Sequence, residues 1–322
     1  MTHAIRMHAI GGSEVLRWES VELGPFVGGE ARVRHTAIGL NFIDTYHRTG
    51  LYPVDLPAIL GSEAAGVVEA VGPDVKDVAV GDRVAYATGP IGGYSEARNM
   101  PAAVLVKLPP KVDDRTAAAV MLKGLTTHFL VEMTTMIGLA SKPTVLVHAA
   151  AGGVGMLLTQ WLKHRGARVI GTVGSEEKAV LAKENGCDEV IVYRHEDVAA
   201  RMKQLGPADI VFDSVGKDTF HVSLDSLRRR GLLVTFGQSS GPIGPIDPRI
   251  LAQKGSLFMT RPVLGDYARG VELAARASEL FAAIVSGVLR VRVAQTYPLR
   301  DAERAHHDLE ARKTTGSTLL MP

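Results

Sequence analysis

The amino-acid sequence predicts an α/β protein in which a mostly β domain accompanies a doubly wound domain with a parallel sheet. The 322 residues suffice for two domains, because single hydrophobic cores stop growing near about 250–300 residues. From Met1 to about Leu122, short β-like runs are broken by Gly and Pro, and helical periodicity is scarce. From about Thr144, apolar strands alternate with helix-like segments that end in Gly, which is typical of a doubly wound sheet.

The predicted elements can be placed in chain order. The first part contains the β-like runs ARVRHTAIGL, AAGVVEAVG, DRVAYA and AVLVKLP. The second part contains apolar strands at Val145–His148, Val169–Val173, Val190–Tyr193, Ile210–Asp213, Leu232–Phe236 and Leu257–Met259. Helical segments between the earlier strands are GMLLTQWLKHRG and EEKAVLAKENG, each closed by Gly. Beyond Arg261 come a long helical stretch, ARGVELAARASELFAAIVSG, the strand-like VRVAQTYPL and a last helix, RDAERAHHDLEAR.

Charge and apolar runs argue against nucleic acid and membranes as partners. The formal net charge is only +2, so nothing favours binding to a polyanion. The basic cluster Arg228–Arg230 precedes Gly231 and is interpreted as cations at a helix C-terminus with a glycine stop. No uncharged apolar run reaches the length of a membrane span, and the start, MTHAIRMHAIGG, lacks the apolar region of a signal peptide.

Cysteine usage favours a cytoplasmic protein. Cys187 is the only cysteine, so the chain can form neither an internal disulfide nor a multi-cysteine zinc site. We expect Cys187 to be a small buried residue between a helix and a strand.

A glycine turn after the first of these strands predicts a dinucleotide site. Val145–His148 leads into the glycine-containing run Ala150–Gly155, and a helix with apolar Leu157, Leu158 and Trp161 follows at once. Glycines let the backbone approach a pyrophosphate, and the helix N-terminus offers free N–H groups and a positive dipole end. The alternative is a tight turn without a ligand.

The end of the next strand favours NADP over NAD. NAD sites usually place Asp or Glu there to hold the ribose 2′-hydroxyl. Here Gly174 and Ser175 occupy that corner, and Lys178 follows one helical turn later, which suits a 2′-phosphate. Glu176 and Glu177 would repel a phosphate unless they point outward, and Lys178 could instead be a solvated lysine at a helix start.

Several motifs together resemble one family. They are GLNFIDTYHRTGLYP, LGSEAAGVVEAVG, GDRVAY, LKGLTTHFL, HAAAGGVG, DSVG, FGQSSG and QKGSLFMTRP. The chain resembles the zinc-free quinone oxidoreductases, the zeta-crystallin-like branch of the medium-chain dehydrogenase/reductases. This resemblance implies a GroES-like catalytic domain from residues 1–124 and 263–322, a nucleotide domain from 125–262, and NADPH in the cleft between them. It also implies a homodimer formed through the edge strand GSLFMT.

The resemblance also bears on metal. Zinc-containing relatives carry a catalytic Cys and a His where this chain has Asn41 and Ser62, which are poor zinc ligands. We therefore expect no metal, and we expect Asp44 and Glu63 to have hydrogen-bonding roles. The neighbouring His306 and His307 should point to different faces of a helix.

Site residues are carried over from the family. Asn41 and Tyr46 are implied to line the nicotinamide and substrate cleft and to donate hydrogen bonds to a developing oxyanion, and Tyr52 could stack on a flat acceptor. Their alternative role is loop structure. The implied cofactor-binding residues are Asn41, Phe42, Tyr46, Thr126, Phe129, Gly152, Gly153, Val154, Gly174, Ser175, Lys178, Tyr193, Ser214, Phe236, Gly237, Ser239, Phe258, Arg261 and Arg312. A hydrolase triad of Asp213, Ser214 and His221 is rejected, because the nucleophile elbow G-x-S-x-G is absent around Ser214.

These residues predict an NADPH-dependent quinone reductase that works without metal. A quinone takes hydride readily because its product is an aromatic hydroquinone. Alcohol oxidation is less plausible, because the alkoxide would have no zinc ion to stabilise it. The second enzyme hypothesis is an NADPH-dependent enone or 2-alkenal reductase. A hypothesis of a different class is a nucleotide- or RNA-binding structural protein of the zeta-crystallin type.

Overall fold

The structure is a computed structural model that describes residues 1–136 and 142–322. The chain divides into two compact units, which we call the split unit (residues 1–125 and 267–322) and the central unit (residues 126–266). Each has its own hydrophobic core.

The elements are numbered here in chain order. The first segment contains β1 (Thr2–Met7), β2 (Arg17–Val21), β3 (Glu30–Leu40), α1 (Phe42–Arg48), β4 (Ala58–Ile59), β5 (Glu63–Val71), β6 (Arg83–Tyr86), β7 (Ala97–Pro101), β8 (Val106–Lys107) and α2 (Asp114–Met136). The middle segment contains β9 (Thr144–Val147), α3 (Gly153–His164), β10 (Arg168–Val173), α4 (Glu176–Glu184), β11 (Glu189–Val192), α5 (Val198–Leu205), β12 (Ala208–Asp213), α6 (Phe220–Asp225), β13 (Leu227–Thr235), α7 (Arg249–Gln253), β14 (Phe258–Thr260) and α8 (Leu264–Tyr267). The last segment contains α9 (Gly270–Val285), β15 (Val293–Pro298), α10 (Ala302–Glu310) and β16 (Ser317–Met321).

The split unit is built on β-sheets that join both ends of the chain. Its larger sheet has the strand order β15-β16-β3-β5-β6-β8, and β7 also pairs with β3. A smaller sheet has the order β2-β1-β4. Strand β16 is parallel to β15 and antiparallel to β3, so a strand from the last residues lies between them.

The central unit is a parallel sheet in the order β11-β10-β9-β12-β13-β14. Counted from β9, this is the dinucleotide-binding order 3-2-1-4-5-6, with its topological switch point between β9 and β12. The six predicted strands are thus confirmed, with ends that differ by a few residues, and β14 is an edge strand as predicted.

The prediction for Arg228–Arg230 was wrong. Helix α6 ends at Asp225, and the arginines lie at the start of β13, where Leu227 pairs with Ala208 and Leu232 pairs with Ile210. Residues 228–231 are therefore a bulge in the strand. Arg228 Nε donates to Asp209 of the neighbouring strand, so this arginine serves sheet pairing rather than a helix end.

Two other sequence interpretations need correction. AVLVKLP contributes only the two-residue β8, preceded by a 3₁₀ turn at Ala102–Val104. The 23-residue α2 begins inside the part interpreted as mostly β. In the described ranges, no helix is long and apolar enough to cross a membrane.

Candidate active site

The glycine turn of the central unit has the geometry that its sequence predicted. Ala149 takes a positive φ of 53°, and its carbonyl oxygen accepts from Gly152 N at 2.9 Å. Gly152 is the N-cap of α3. A Cβ at Gly155 would collide with the Ala149 carbonyl oxygen, so helix and turn can lie this close only with glycine there. The N-terminus of α3 is thereby held at the carboxyl end of β9.

Buried polar residues fix the strand ends around this turn. His148, directly after β9, contacts Thr172 Oγ1 at 2.9 Å through Nδ1 and Ser223 Oγ at 3.1 Å through Nε2. Ser223 Oγ donates to Asp213 Oδ2 at 2.8 Å, and all four side chains are buried. Burial lowers the pKa of His148, so the imidazole is neutral here. The role of Asp213 is thus structural, which agrees with rejection of a triad.

A second cluster lies at the carboxyl ends of β10 and β11. Gly174 lies so near Tyr193 that a Cβ would be 2.6 Å from the phenol oxygen. Ser175 is the N-cap of α4, and its Oγ accepts from Lys178 N at 3.4 Å. A hydrogen bond from Ser175 also lowers the pKa of Glu177. Gly174, Ser175, Lys178 and Tyr193 are therefore brought together, and the Ser175 side chain already caps a helix.

The carboxyl ends of β12 and β13 form a third cluster. A Cβ at Gly237 would lie 2.6 Å from the Ser214 carbonyl oxygen, and Ser239 N donates to that same oxygen at 3.2 Å. Phe236 N donates to the Asp213 carbonyl at 2.9 Å. Arg261 Nη1 donates to Thr235 Oγ1 at 3.2 Å and to the Gly237 carbonyl at 3.3 Å. The close approach to Ser214 requires glycine at 237, and Arg261 lies beside this turn.

The other predicted cofactor residues lie on several different elements of the chain. Gly153 and Val154 lie in the first turn of α3. Thr126 and Phe129 are buried in α2, and Phe258 is 57% exposed on β14. Arg312 is an exposed residue with a φ of 59° after α10, in the split unit.

In the split unit, Asn41 precedes α1 and takes part in a buried ion cluster. Its Nδ2 donates to Glu63 Oε1 at 2.8 Å and to the Gly39 carbonyl at 3.3 Å. Lys123 Nζ donates to the same Glu63 Oε1 at 2.5 Å, and Leu122 N donates to Glu63 Oε2 at 2.7 Å. Both hydrogens of the Asn41 amide are therefore committed within the protein, which disfavours the predicted donation to an oxyanion.

Asp44 is the centre of a second buried network. Its carboxylate accepts from Asn41 N, Ser62 Oγ and Tyr94 Oη, each at 2.9 Å. Tyr94 Oη also lies 2.9 Å from His306 Nε2. Burial, opposed by these hydrogen bonds, raises the pKa of Asp44 to about 6.

The network continues to the C-terminal helix. His306 Nδ1 lies 3.0 Å from Arg48 Nη1, and Arg48 makes a bidentate pair with Glu310 at 3.0 and 2.7 Å. Burial lowers the pKa of His306 to about 3, with a smaller contribution from the Arg48 charge. His307 is exposed while His306 is buried, so the predicted difference in facing is confirmed.

Aromatic rings gather along α1 and in the turn that follows it. The Tyr46 and Tyr52 rings meet edge to face at 5.3 Å, and Phe42 lies 6.4 Å from Tyr46. His47 lies 5.8 Å from Tyr52. Phe42, Tyr46 and Tyr52 thus form one aromatic cluster next to Asn41.

Some residues of this unit were not predicted from sequence. Tyr94 and His306 lie outside the motifs quoted above, and Arg48 and Lys123 lie inside two of them, but the sequence assigned none of the four to a hydrogen-bond network. Lys123 does have a local signal, since a lysine within the apolar run VMLKGL needs a buried partner. Within the parts of the chain described, no group of three or more His, Cys, Asp or Glu residues could hold a metal ion.

Comparison with known proteins identifies the family. The family model for the alcohol dehydrogenase GroES-like domain matches residues 28–110, and that for the zinc-binding dehydrogenases matches residues 153–276. A quinone oxidoreductase of Pseudomonas aeruginosa is 52% identical over all of both chains, and a 2-haloacrylate reductase of Burkholderia is 43% identical over 100% of this chain and 99% of its own.

A solved structure gives the same result. The Escherichia coli quinone oxidoreductase complexed with NADPH superposes with a TM-score of 0.96, is 47% identical, and covers 99% of this chain and 100% of its own. The split unit is accordingly GroES-like and the central unit Rossmann-like. The chain belongs to the quinone oxidoreductase family of the medium-chain dehydrogenase/reductases.

Proposed function

We propose that this protein is an NADPH-dependent quinone reductase that works without a metal ion. The observation that carries the proposal is the glycine turn at the switch point, held by the buried His148 network, in a chain that matches quinone oxidoreductases along its whole length. The Escherichia coli relative was solved in complex with NADPH, which supports this cofactor.

The residues present fit NADPH. Gly152, Gly153 and Val154 at the start of α3 would hold the pyrophosphate through backbone N–H groups. Gly174 leaves room beside the Tyr193 ring, which would cover the adenine, and Lys178 would pair with the 2′-phosphate. No acidic side chain occupies the corner residues 174 and 175, so a 2′-phosphate meets no carboxylate there.

Bound NADPH supplies the hydride. Phe42, Tyr46 and Tyr52 would hold a flat acceptor, because aromatic rings offer large, rigid contact surfaces. Tyr46 would donate to a developing oxyanion through its phenol, as the family resemblance implies. The Asn41 amide hydrogens already donate to Glu63 and Gly39. Asn41 and Ser62 donate to carboxylates, which supports reduction without a Lewis acid.

A second candidate is the reduction of an activated carbon–carbon double bond. The relative named 2-haloacrylate reductase favours it, since that name describes a conjugated acceptor. Quinones and enones both accept hydride in conjugation, so the same site could serve either.

Steady-state assays with NADPH against a panel of quinones and a panel of enones and haloacrylates test both. We expect turnover with quinones to exceed turnover with the other panel. Higher turnover with the second panel would select the alternative, and tight NADPH binding without turnover would favour a binding protein instead.

We also propose the assembly and location. The split unit would act as the catalytic domain and the central unit as the NADPH-binding domain. The open edge at β14, which carries exposed Phe258, supports a homodimer. A lone, buried Cys187, whose pKa is raised to about 12 by burial, is compatible with the cytoplasm.

A further inference from the structure

A cavity of about 1070 Å³ opens on the surface of the split unit, and all of its wall residues lie between Arg6 and Asn99. Sites that bind small organic molecules occupy roughly 300–1,000 Å³, so this cavity is large enough for one. None of the residues assigned above to the cofactor or to the acceptor contributes to the wall. The wall suits a ligand with an apolar part, because it contains aliphatic residues at Val21, Leu23, Val54, Ile59 and Ile91.

Two arginines of the wall carry charges that no carboxylate neutralises. Arg6 is half-buried on β1, and in residues 1–136 and 142–322 its side chain has no hydrogen bond or ion pair. Arg98 is half-buried on β7, where its Nη1 donates to the Pro90 carbonyl at 3.0 Å and its Cζ lies 5.8 Å from the centre of the Tyr86 ring. Neither of these partners is an anion. A guanidinium that is partly removed from water gains most from an anionic partner, because hydrogen bonds between charged groups are the strong ones.

The backbone brings the two arginines to the same part of the wall. A Cβ at Gly92 would lie 2.9 Å from Arg98 Cζ, so the Arg98 guanidinium lies against Gly92. Ile5 N, directly before Arg6, donates to the Tyr94 carbonyl at 2.8 Å, so β1 passes close to Gly92 as well. An anion bound in this part of the cavity would meet two positive charges.

The other titratable residues of the wall limit the charge that a ligand can carry. Glu22 and Asp55 are exposed, so water screens their charges more than those of the half-buried arginines. His47 adds no charge at neutral pH, because burial lowers its pKa. A dianion such as a phosphate monoester would be repelled more strongly by the two carboxylates than a monoanion. A carboxylate fits best, since its two oxygens match the planar fork of a guanidinium.

We propose that this cavity is a binding site for an organic carboxylate, whose charged end pairs with Arg6 and Arg98 and whose apolar part packs on the aliphatic wall. The two arginines determine specificity because they select for a negative charge, and the aliphatic residues supply contact area. The site is formed by the split unit alone, so the inference does not depend on the proposed function.

Isothermal titration calorimetry of the full-length protein with 2-naphthoate tests the site. We expect one equivalent to bind the wild type, and Arg6→Gln and Arg98→Gln each to weaken binding by about 10-fold. 2-Naphthamide, which has the same rings and no charge, should bind the wild type more weakly and should lose little affinity in either variant. Arg17→Gln is the matched control, because Arg17 is exposed on β2 opposite Arg6 and does not line the cavity, so its loss should leave the Kd unchanged.

A competition experiment tests the class of anion. Inorganic phosphate at the concentration of the naphthoate should not displace it, because of repulsion by Glu22 and Asp55. If Arg98→Gln does not fold, Arg6→Gln decides, since the Arg6 side chain makes no hydrogen bond in the described ranges that the variant could lose. Absence of binding to the wild type, binding that neither variant weakens, or displacement by phosphate would overturn the inference. Failure of the proposed function would show instead as absence of turnover, which this titration does not involve.

Discussion

Gly174 and Tyr193 meet at the carboxyl ends of adjacent strands, where a Cβ on Gly174 would lie 2.6 Å from Tyr193 Oη and 3.1 Å from Cζ. The Tyr193 ring can occupy its observed position only because residue 174 has no Cβ. If Tyr193 covers the adenine, as proposed, residue 174 controls binding indirectly.

Gly174→Ala should displace the Tyr193 ring and weaken binding of NADPH and NADH alike, because both contain adenine. Loss of a stacked base corresponds to at least about a 5-fold weaker Kd. Fluorescence titration of both cofactors measures it. In a Tyr193→Ala background the same substitution should add little. Gly24→Ala is the matched control, since nothing lies within 4 Å of a Cβ there, and it should leave binding unchanged.

Lys178→Ala should affect the binding of NADPH and of NADH differently. A hydrogen bond to a charged partner contributes roughly 1.5–3 kcal/mol, and the lower half applies at a partly open site. NADPH binding should therefore weaken by roughly 10- to 30-fold, while NADH binding should hardly change. Turnover at saturating NADPH should stay near wild type, because the contact is remote from the hydride. Equal losses for both cofactors would mean that Lys178 only supports the fold.

Treatment of the protein with a chelator should not change its activity. Asn41 and Ser62 each donate a hydrogen bond to a carboxylate, and neither an amide nor a hydroxyl is a ligand that zinc prefers. Elemental analysis of protein purified without chelator should find no stoichiometric zinc, and activity should survive dialysis against a chelator. Zinc at one equivalent together with chelator-sensitive turnover would contradict the mechanism.

Phe258→Glu should break the proposed dimer. Phe258 is 57% exposed on the edge strand β14, and a buried carboxylate in a two-fold edge contact would be repelled by its copy. Sedimentation at micromolar concentration should give a dimer for the wild type and a monomer for the variant. Val27→Glu, at a residue that is 71% exposed in the split unit, should remain dimeric. A monomeric wild type would remove the dimer proposal.

His35 should make the split unit sensitive to acid. Its Nδ1 donates to the Ser95 carbonyl, and Tyr86 Oη donates to its Nε2. Burial lowers its pKa from 6.5 to about 4, and the Arg98 charge acts in the same direction. The unfolded state therefore binds more protons between these values, so stability falls as the pH falls through this window.

The His35 contribution corresponds to about 3 kcal/mol of unfolding free energy. It should be fully present above pH 6.5 and lost near pH 4. Chemical denaturation at several pH values measures it, and His35→Gln should have a flatter pH dependence. A slope identical to that of the wild type would show that His35 does not titrate in this way.

The fold could be predicted where burial of an element leaves a recognisable pattern of apolar residues in the sequence. The inner strands β9, β10 and β12 are buried almost throughout and therefore occur as apolar runs. Helix α2 escaped detection because its residues 117–121 are all fully buried, so no polar face marks the helical period. The Arg228–Arg230 bulge escaped because its explanation is Asp209, on another strand.

The same distinction holds for the candidate site. The glycine turn is local in sequence, so spacing alone predicted it. The Asp44 network is not local, since Arg48 and His306 are 258 residues apart in the chain. Asp44 and Glu63 were correctly expected to form hydrogen bonds, but their partners Tyr94 and Lys123 lie 50 and 60 residues further along the chain, so no local spacing links them.

Strand β16 has a consequence for the order in which the chain can fold during synthesis. It pairs with β3 and β15 inside the larger sheet, and Ser317 Oγ donates to the Ala119 carbonyl at 2.8 Å. The ribosome must therefore make residues 317–321 before this sheet can close, whereas all strands of the central sheet have left the tunnel earlier. In a nascent chain that stops before Ser317, all strands of the central sheet are present, while β15 lacks its partner and residues 38–40 of β3 form an open sheet edge.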